Sequence, residues 1–478
     1  MNITNLYIII SVALCIGCNT AEQIMQQPTI PTNYAYKEVS QDSANWALIS
    51  WDSFFRDESL KDLIRTGLSQ NQDVLKTLYR IQISQTTLQQ ARLGRLPELN
   101  VQASTGVTRF GEYTMDGVGN RDSNLSPTVP EDKMIPDPYR DFLIGLDFSW
   151  EVDIWGKLKM RKRQALMRYL ESEEMLRFTQ TNLIANIASN YFLVAGLEEE
   201  IMILEKNISF QEAAFELGKS LKEAGKDSQL SLDQFEGLLL NSKGLLLQKS
   251  RELQQAKLNI SQLTGSYSTE FTYSLLEESE SLPEVIEAGI PADLIRMRPD
   301  IRAAELNLQA QQLEIGIVRT AFFPSLNLSG LVGYNAFDFS RLFLNPASAI
   351  YQVGGGLSAP IFNRKRIEAM YETAKAEQKI ALYDFEQTVL QGYLEVMGLV
   401  NDYQYLSDQI SIKTDEVVVQ QRSVENASTM FKIGYANYLD VINSQSRSLE
   451  AELDFVKLRI EQFQSYVDLY KALGGGWM

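Results

Sequence analysis

Hydrophobic positions follow two alternating rules along this chain, one typical of helices and the other of strands. In "RLPELNVQASTGV" a helical run stops at Pro97, and apolar residues from Leu99 to Val107 then alternate with polar or small ones. "AFFPSLNLSGLVGY" repeats the change at Pro324. A period of two predicts a strand with one apolar and one polar face. The sequence therefore predicts two places where a helix becomes a two-faced strand.

Two further segments alternate in the same way and come before long helical stretches. They are "DFLIGLDFSWEVDIWG" and "IYQVGGGLSAPIF". A polar loop separates each from the preceding strand, at about 112–138 in the first case and about 338–348 in the second. The pattern thus predicts four strands arranged as two pairs.

The proline-free stretches predict unusually long helices. Apolar residues recur every three or four positions from Leu382 to Ile410, which marks one stripe on a helix. Residues 364–433 as one helix would extend roughly 100 Å. That length is typical of coiled-coil packing. Gly225 and Gly434 lie within polar segments, where each predicts a turn between antiparallel helices.

The two halves of the chain match each other. "NYFLVAGL" at 190 recurs as "GYLEVMGL" at 392, and the endings "SQLTG" at 261 and "YKALGGG" at 470 follow at similar distances. Each half reads as helix, strand, loop, strand and long helical hairpin. The sequence therefore predicts an internal duplication.

An apolar face opposed to a polar face over about ten residues is the signature of a membrane β-barrel strand. Strands of a soluble sandwich alternate as well. Helices of extreme length and the leader sequence favour the membrane. Because open sheet edges are not tolerated in lipid, four strands require several chains to share one barrel. Two chains would give eight strands and three would give twelve, and twelve better accommodate an aqueous bore.

The leader "MNITNLYIIISVALCIGCNT" predicts a secretory signal, because its apolar stretch is too short to span a bilayer. Its ending "CIGC" resembles a lipobox, in which Cys18 is acylated and becomes the mature N-terminus. The alternative is an ordinary signal that is cleaved nearby and leaves a free thiol.

Composition excludes several functions. The chain has 478 residues and a net charge of −17 without a basic run, which argues against nucleic-acid binding. It has no histidine and only two cysteines, Cys15 and Cys18, so we expect neither metal site nor cofactor. Carboxylate pairs such as Glu171 and Glu174 occur by chance at helical spacing, whereas a glycosidase needs two that converge in a cleft. We therefore expect no enzyme.

Two motifs have structural interpretations. In "IRMRPDIRAAE", Pro299 and Asp300 suit the first turn of a helix, which leaves Arg298 and Glu305 as surface or interchain partners. Trp150 and Trp155, at the end of a strand, are typical of interfacial aromatic anchors. The alternative for them is a soluble core.

These motifs together resemble the outer-membrane efflux protein family, the TolC-like channels, and specifically its lipoprotein branch that serves RND-type multidrug pumps. The resemblance covers nearly the whole mature chain in family order. The segments that carry it are "WDSFFRDESLKDLI", "NQDVLKTLYRIQISQTTLQQARLGRLPELN", "DFSWEVDIWGKL", "PADLIRMRPDIRAAELNLQAQQLEIGIVRTAFFPSLNLSG", "PIFNRKR" and "YKALGGGW".

The resemblance implies an α+β membrane protein that forms a homotrimer. A twelve-stranded β-barrel in the outer membrane would continue into a long α-helical barrel in the periplasm, with a mixed equatorial domain. The channel would passively conduct drugs and toxic compounds from the periplasm to the exterior. Its partners would be a periplasmic adaptor protein and an inner-membrane RND-type pump, and its barrel would contact outer-membrane lipid. The expected division is 1–17 signal peptide, 18–60 lipid anchor, linker and equatorial segment, 61–265 first repeat, 266–290 equatorial linker, 291–473 second repeat and 474–478 tail.

The same resemblance places function at the two helical turns. Asp440, with Asn443 and Tyr435, would form the periplasmic gate, although Asp440 could instead be a solvated helix cap. The turns that contact the adaptor would include Gly225, Lys226, Ser231 and Gly434. A lipid-anchored coiled-coil scaffold without a pore is the rival hypothesis.

Overall fold

The computed structural model describes residues 49–225, 228–276, 282 and 297–475. The predicted signal peptide at 1–17, the acylation site Cys18, Lys226 and most of the linker at 266–290 lie outside these residues. Within the described chain the elements are α1 Trp51–Phe54, α2 Glu58–Gln70, α3 Gln72–Leu93, β1 Glu98–Thr108, α4 Met115–Leu125, β2 Tyr139–Val152, α5 Lys157–Glu223, α6 Gln229–Thr264, α7 Pro299–Arg319, β3 Ser325–Ala336, β4 Ala349–Ser358, α8 Arg366–Lys432 and α9 Tyr438–Ala472.

The four strands form one antiparallel sheet in the order β1, β2, β3, β4. The register pairs Leu99 with Phe148, Leu146 with Val332 and Val332 with Tyr351. Apolar residues therefore oppose apolar residues across the whole sheet, and one face is continuously apolar. That face is exposed in the single chain, and β1 and β4 are its open edges. The predicted alternation of the strands is confirmed.

The first of the two predicted polar loops, at about 112–138, contains the helix α4. Thr114 caps this helix, since its hydroxyl accepts a hydrogen bond from the backbone N–H of Gly117 at 3.1 Å. Arg341 of the second loop donates to Asp132 of the first at 2.6 Å. The ion pair joins the loops that connect β1 to β2 and β3 to β4.

Two long helical hairpins extend from the other end of the sheet. α5 and α8 each have 67 residues and are therefore roughly 100 Å long. The helix predicted at 364–433 is thus confirmed. None of the helices in the described parts of the chain combines the length and the apolar composition of a membrane span.

The largest core lies where α1 and α2 pack on α5 and α9. The ring of Phe54 stacks on that of Tyr470 at 3.8 Å, and Phe192 stacks on Phe463 at 4.6 Å. Buried Tyr191 donates its hydroxyl hydrogen bond to Asp57 and accepts one from the N–H of Ser274 at 2.8 Å. Burial, reinforced by Asp57, raises the pKa of Tyr191. Tyr191 of α5 therefore holds both the residue before α2, Asp57, and the segment after α6, at Ser274.

The duplication is confirmed, and it extends to single contacts. The side-chain amide of Asn71, which caps α3, donates to the carbonyl of Leu263 near the end of α6 at 2.9 Å. Arg298, which precedes α7, donates to the carbonyl of Ala472 at the end of α9, also at 2.9 Å. The left-handed glycines Gly265 and Gly474 follow these helices. Each repeat thus closes its hairpin against the start of the helix that precedes its strands.

The structure corrects the interpretation of Arg298 as a surface or interchain residue. Its guanidinium is buried and is paired within the chain with Asp300 at 2.8 Å and Glu395 at 2.7 Å. Burial alone would lower the pKa of Arg298, but the two carboxylates outweigh it and raise that pKa. Pro299 begins α7 as predicted.

Candidate functional site

Both hairpins turn at the same end of the molecule, and each turn uses a glycine in the left-handed conformation. Gly225 has φ of 71° and Gly434 has φ of 80°. A side chain disfavours that conformation, which is the reason for glycine at these positions. The N–H of Tyr435 donates back to the carbonyl of Met430 at 2.9 Å and closes the end of α8. The predicted turns at Gly225 and Gly434 are confirmed as turns.

The two turns belong to one tip. The ring of Phe235 on α6 lies 6.5 Å from that of Tyr438, the first residue of α9. Phe235 is buried, and a side-chain methyl group on Gly218 of α5 would touch it at 3.4 Å. Above this contact a cleft of about 790 Å³ separates the hairpins. It is lined by apolar residues such as Phe210 and Val441 and by the buried amide of Gln445.

Asp440 occupies the third position of α9 and takes part in a reciprocal cap. The side chain of Asn437 accepts from the N–H of Asp440 at 3.1 Å, and the carboxylate of Asp440 accepts from the N–H of Asn437 at 3.0 Å. Asp440 is nevertheless exposed. The helix-cap role is therefore present in the structure, and the exposed carboxylate is available for a second role.

An exposed polar stripe continues from Asp440 along α9. Asn443 lies one turn further on the same face, and Arg447 and Glu450 follow at helical spacing. Arg447 is not among the residues predicted from the sequence, although its distance of seven residues from Asp440 places it on the same face of the helix. Tyr435 is 85% exposed at the turn itself. The structure thus brings the three predicted gate residues Asp440, Asn443 and Tyr435 to one end of one hairpin.

In the first turn the structure narrows the set of contact residues. Ser228 caps α6 by accepting from the N–H of Ser231 at 3.1 Å. Ser231 itself is fully buried, so its side chain does not belong to the exposed contact surface that the sequence analysis assigned to it. Asp233, two residues further, is exposed. Lys226 lies outside the described residues.

Trp150 and Trp155 lie where the sheet meets the helices. The indole N–H of Trp150 donates to the carbonyl of Arg95 at 3.0 Å, and that of Trp155 donates to the carbonyl of Pro324 at 2.6 Å. The ring of Trp155 stacks on that of Phe323 at 4.9 Å. Each indole therefore stabilises one junction between a helix and a strand. Trp150 does so next to Pro97 and Trp155 at Pro324.

A buried ion pair joins the two helices of the first hairpin. Glu200 on α5 is buried and meets Lys249 on α6 at 2.7 Å. Burial raises the pKa of Glu200, and Lys249 opposes that effect. Residues 49–225, 228–276 and 297–475 contain no group of three or more carboxylate or thiol side chains that could hold a metal ion.

The chain is similar to outer-membrane proteins of efflux systems over nearly its whole length. It is 28% identical to the cation efflux system protein CusC of Escherichia coli O6:H1, covering 96% of each chain. It is 29% identical to the toluene efflux pump outer membrane protein TtgI of Pseudomonas putida, again over 96% of each chain. It is 27% identical to the pyoverdine export outer membrane protein OpmQ of Pseudomonas aeruginosa, over 100% of this chain and 98% of that one.

Solved structures share the fold. A crystal structure of a membrane protein from Pseudomonas aeruginosa superposes with a TM-score of 0.81 at 25% identity, over 94% of this chain and 99% of that one. A CusC structure superposes with a TM-score of 0.80 at 25% identity, over 94% and 98%. The family model described as "Outer membrane efflux protein" matches residues 63–266 and 290–475, one match for each repeat. The chain therefore belongs to the outer membrane efflux protein family, and it is an efflux channel of the outer membrane and not a scaffold without a pore.

Proposed function

We propose that three copies of this chain form one passive exit duct, with their strands closed into a twelve-stranded barrel. The sheet carries this proposal. Its exposed apolar face suits contact with lipid, but its two edges, β1 and β4, are open, and open edges are not tolerated in lipid. Three such sheets give twelve strands around an aqueous bore. Trp150 and Trp155 would then mark the interface between the membrane and the periplasm.

The helical tip would face an inner-membrane RND-type pump through a periplasmic adaptor. The exposed turns at Gly225 and Gly434 are the surfaces that remain at the far end of the hairpins. Cys18 would be acylated and would anchor the N-terminus in the same membrane, which acyl labelling of the purified protein would detect. The named relatives handle cations, toluene and pyoverdine, so they do not single out one substrate for this chain.

Asp440 would give the narrow end its selectivity. Three copies of its exposed carboxylate around an axis would attract cations, and Asn443 would lie beside each of them. Arg447, one further turn along the helix, would limit the width of the negative zone.

The test is single-channel recording of Asp440→Asn, which removes the charge and keeps an oxygen that can accept from Asn437. We expect a lower preference for cations and weaker block by multivalent cations, with the trimer intact. Asp233→Asn removes an exposed carboxylate from the other turn and is the matched control. No effect of Asp440→Asn on cation preference or on block would place Asp440 away from the pore.

A further inference from the structure

Basic side chains gather at the end of the sheet where the strands meet the helices. The antiparallel register places all four helix-to-strand junctions at that end. The junction segments are 92–98, 151–163, 319–325 and 358–368, and together they carry eleven lysine or arginine residues and four acidic ones. We call these four segments the basic belt. Its charge is opposite in sign to that of the whole chain, which is −17.

Most of the basic side chains in the belt are exposed and form no ion pair with the residues that the structure describes. Lys157 meets Glu151 at 2.8 Å, and Lys365 lies 3.8 Å from Glu368. The carboxylate of Asp153 accepts from two backbone N–H groups in the first turn of α5. The basic residues without such a partner are Arg92, Arg95, Lys159, Arg161, Lys162, Arg163, Arg319, Arg364 and Arg366. The belt thus keeps a positive charge that the described chain does not neutralise.

Local structure does not account for these charges. The first turn of α5 contains Lys157 and Lys159 and no acidic residue, although the positive end of a helix dipole favours acidic side chains. Arg364 and Lys365 precede α8 with φ of 53° and 61°, a left-handed conformation that favours glycine. Basic residues at these positions therefore cost stability, and a bound anion would offset that cost.

Exposed apolar side chains accompany the basic belt. Ile361 is 99% exposed and Phe362 is 86% exposed, shortly before the basic residues that precede α8. The other exposed apolar side chains at the junctions include Leu96, Ile154, Phe322 and Phe323. The indoles of Trp150 and Trp155 lie at the same junctions. Apolar and aromatic side chains next to basic ones are typical of a surface at the headgroup level of a bilayer.

We propose that the basic belt binds anionic phospholipid headgroups in the membrane leaflet that faces the periplasm. The proposal rests on the barrel proposed above, which sets the apolar face of the sheet in lipid and the helices in the periplasm. The junctions then lie at headgroup depth. There the guanidinium and ammonium groups donate to phosphate oxygens, and acyl chains cover Ile361 and Phe362.

The charge of the headgroup decides which lipid the belt prefers. A zwitterionic headgroup brings its own cation next to the arginines, whereas phosphatidylglycerol brings a negative charge alone. Phosphatidylglycerol should therefore be enriched around the protein. Because the attraction is electrostatic and lies at an aqueous surface, salt should weaken it.

Quenching of tryptophan fluorescence by brominated lipids measures this preference. The purified protein is reconstituted into phosphatidylcholine bilayers that contain a minor fraction of either brominated phosphatidylglycerol or brominated phosphatidylcholine. Trp150 and Trp155 report on the lipid at the belt, and the other three tryptophans of the chain enter both measurements. We expect phosphatidylglycerol to bind about threefold more strongly than phosphatidylcholine at low salt, and this ratio to fall in about 0.5 M salt.

The variant Lys159→Gln/Arg161→Gln/Arg163→Gln removes three exposed charges close to Trp155. Glutamine is a good helix former, and the variant also relieves α5 of cations near its positive end. We expect the preference for phosphatidylglycerol to fall close to one. The mass in uncharged detergent should be unchanged, and the unfolding temperature there should be unchanged or higher.

The matched control is Lys206→Gln/Lys219→Gln/Lys222→Gln, which removes three exposed charges from the other end of the same helix. It should keep the preference of the unmodified protein. A fall in preference as large as that of the belt variant would show that net charge, and not the belt, selects the lipid.

The outcomes separate the lipid site from the barrel. Equal quenching by the two brominated lipids, or a preference that survives in the belt variant, would overturn the lipid site and leave the barrel standing. A belt variant that loses its native mass or unfolds at a lower temperature in uncharged detergent would assign the charges to contacts within the protein instead. If neither brominated lipid quenches the reconstituted protein, the sheet does not lie in the membrane and the proposed function fails as well.

Discussion

Asn71 and Arg298 occupy the same place in the two repeats and close the same hairpin end with different chemistry. Each donates to a backbone carbonyl, that of Leu263 or that of Ala472, at 2.9 Å. Asn71 is neutral, and it caps α3 by accepting from the N–H of Asp73 at 2.9 Å. Arg298 instead brings a charge into the interior and is held there by Asp300 and Glu395.

The difference shows that the duplicated geometry does not depend on one kind of side chain. A neutral amide needs few partners, whereas a buried guanidinium needs a partner for its charge and for its donors. At the position of Glu395 the first repeat has Asn186, 209 positions earlier and exposed. Glu395 and Arg298 therefore differ from the first repeat together, since both positions are neutral there.

The largest effect that we expect comes from removing the buried guanidinium of Arg298 and its ion pairs with Asp300 and Glu395. Arg298→Ala leaves Asp300, Glu395 and the carbonyl of Ala472 without their donor, so it should lower the free energy of unfolding by about 3–5 kcal/mol. Asn71→Ala should cost about 1–2 kcal/mol. Thermal unfolding in detergent, followed by helical circular dichroism, compares the two.

The matched control is Arg298→Asn/Glu395→Gln, which gives the second repeat neutral side chains at both positions, as in the first repeat. We expect it to recover part of the stability that Arg298→Ala loses. A loss in Arg298→Ala no greater than that in Asn71→Ala would mean that the charges contribute nothing beyond the shared hydrogen bond.

A smaller effect should come from a charged pair that only the first repeat has. Glu200 is buried beside Lys249, whereas their counterparts are Gln409 and Leu458. Lys249→Met leaves Glu200 buried without its cation and should cost about 3 kcal/mol near neutral pH. Because burial holds the pKa of Glu200 above its unfolded value, stability falls as pH rises through the folded pKa.

The deficit of Lys249→Met should therefore shrink as the pH is lowered from about 8 to about 5, as Glu200 takes up its proton. Lys249→Met/Glu200→Gln should show no such pH dependence. Unfolding midpoints measured across this range check the sign, and a constant deficit at all pH values would exclude Glu200 as its source.

The repeats also show how far the sequence could be interpreted. The strands and the 67-residue helix α8 follow from hydrophobic period and from proline positions, which are local signals. Arg298 was assigned wrongly, because its burial depends on Glu395 and Ala472, 97 and 174 residues away. Ser231 is similar, since a polar residue near a turn gives no local sign that its helix is covered. The matched motifs at 190 and 392 lie 202 positions apart, whereas the ends of α5 and α8 lie 209 positions apart. The difference of seven residues is about two helical turns, so the motifs still lie on the same face of the two helices.

Glycine substitutions should give the smallest effect on stability. At the ends of the hairpins they separate the cost of the left-handed backbone conformation from the cost of close contacts with neighbouring backbone. Gly265 and Gly474 have φ of 68° and 90°, and a methyl group would lie 2.9 Å from the carbonyl oxygen of Gln70 or 2.8 Å from that of Met297. Gly225 has a similar φ of 71° but nothing within 4 Å of such a group. Alanine at Gly225 should therefore cost about 1 kcal/mol through conformation alone, and alanine at Gly265 or Gly474 about 2 kcal/mol because backbone must also shift. Thermal unfolding of the three variants measures the difference, and equal losses would show that the closely packed ends of the two hairpins yield without cost.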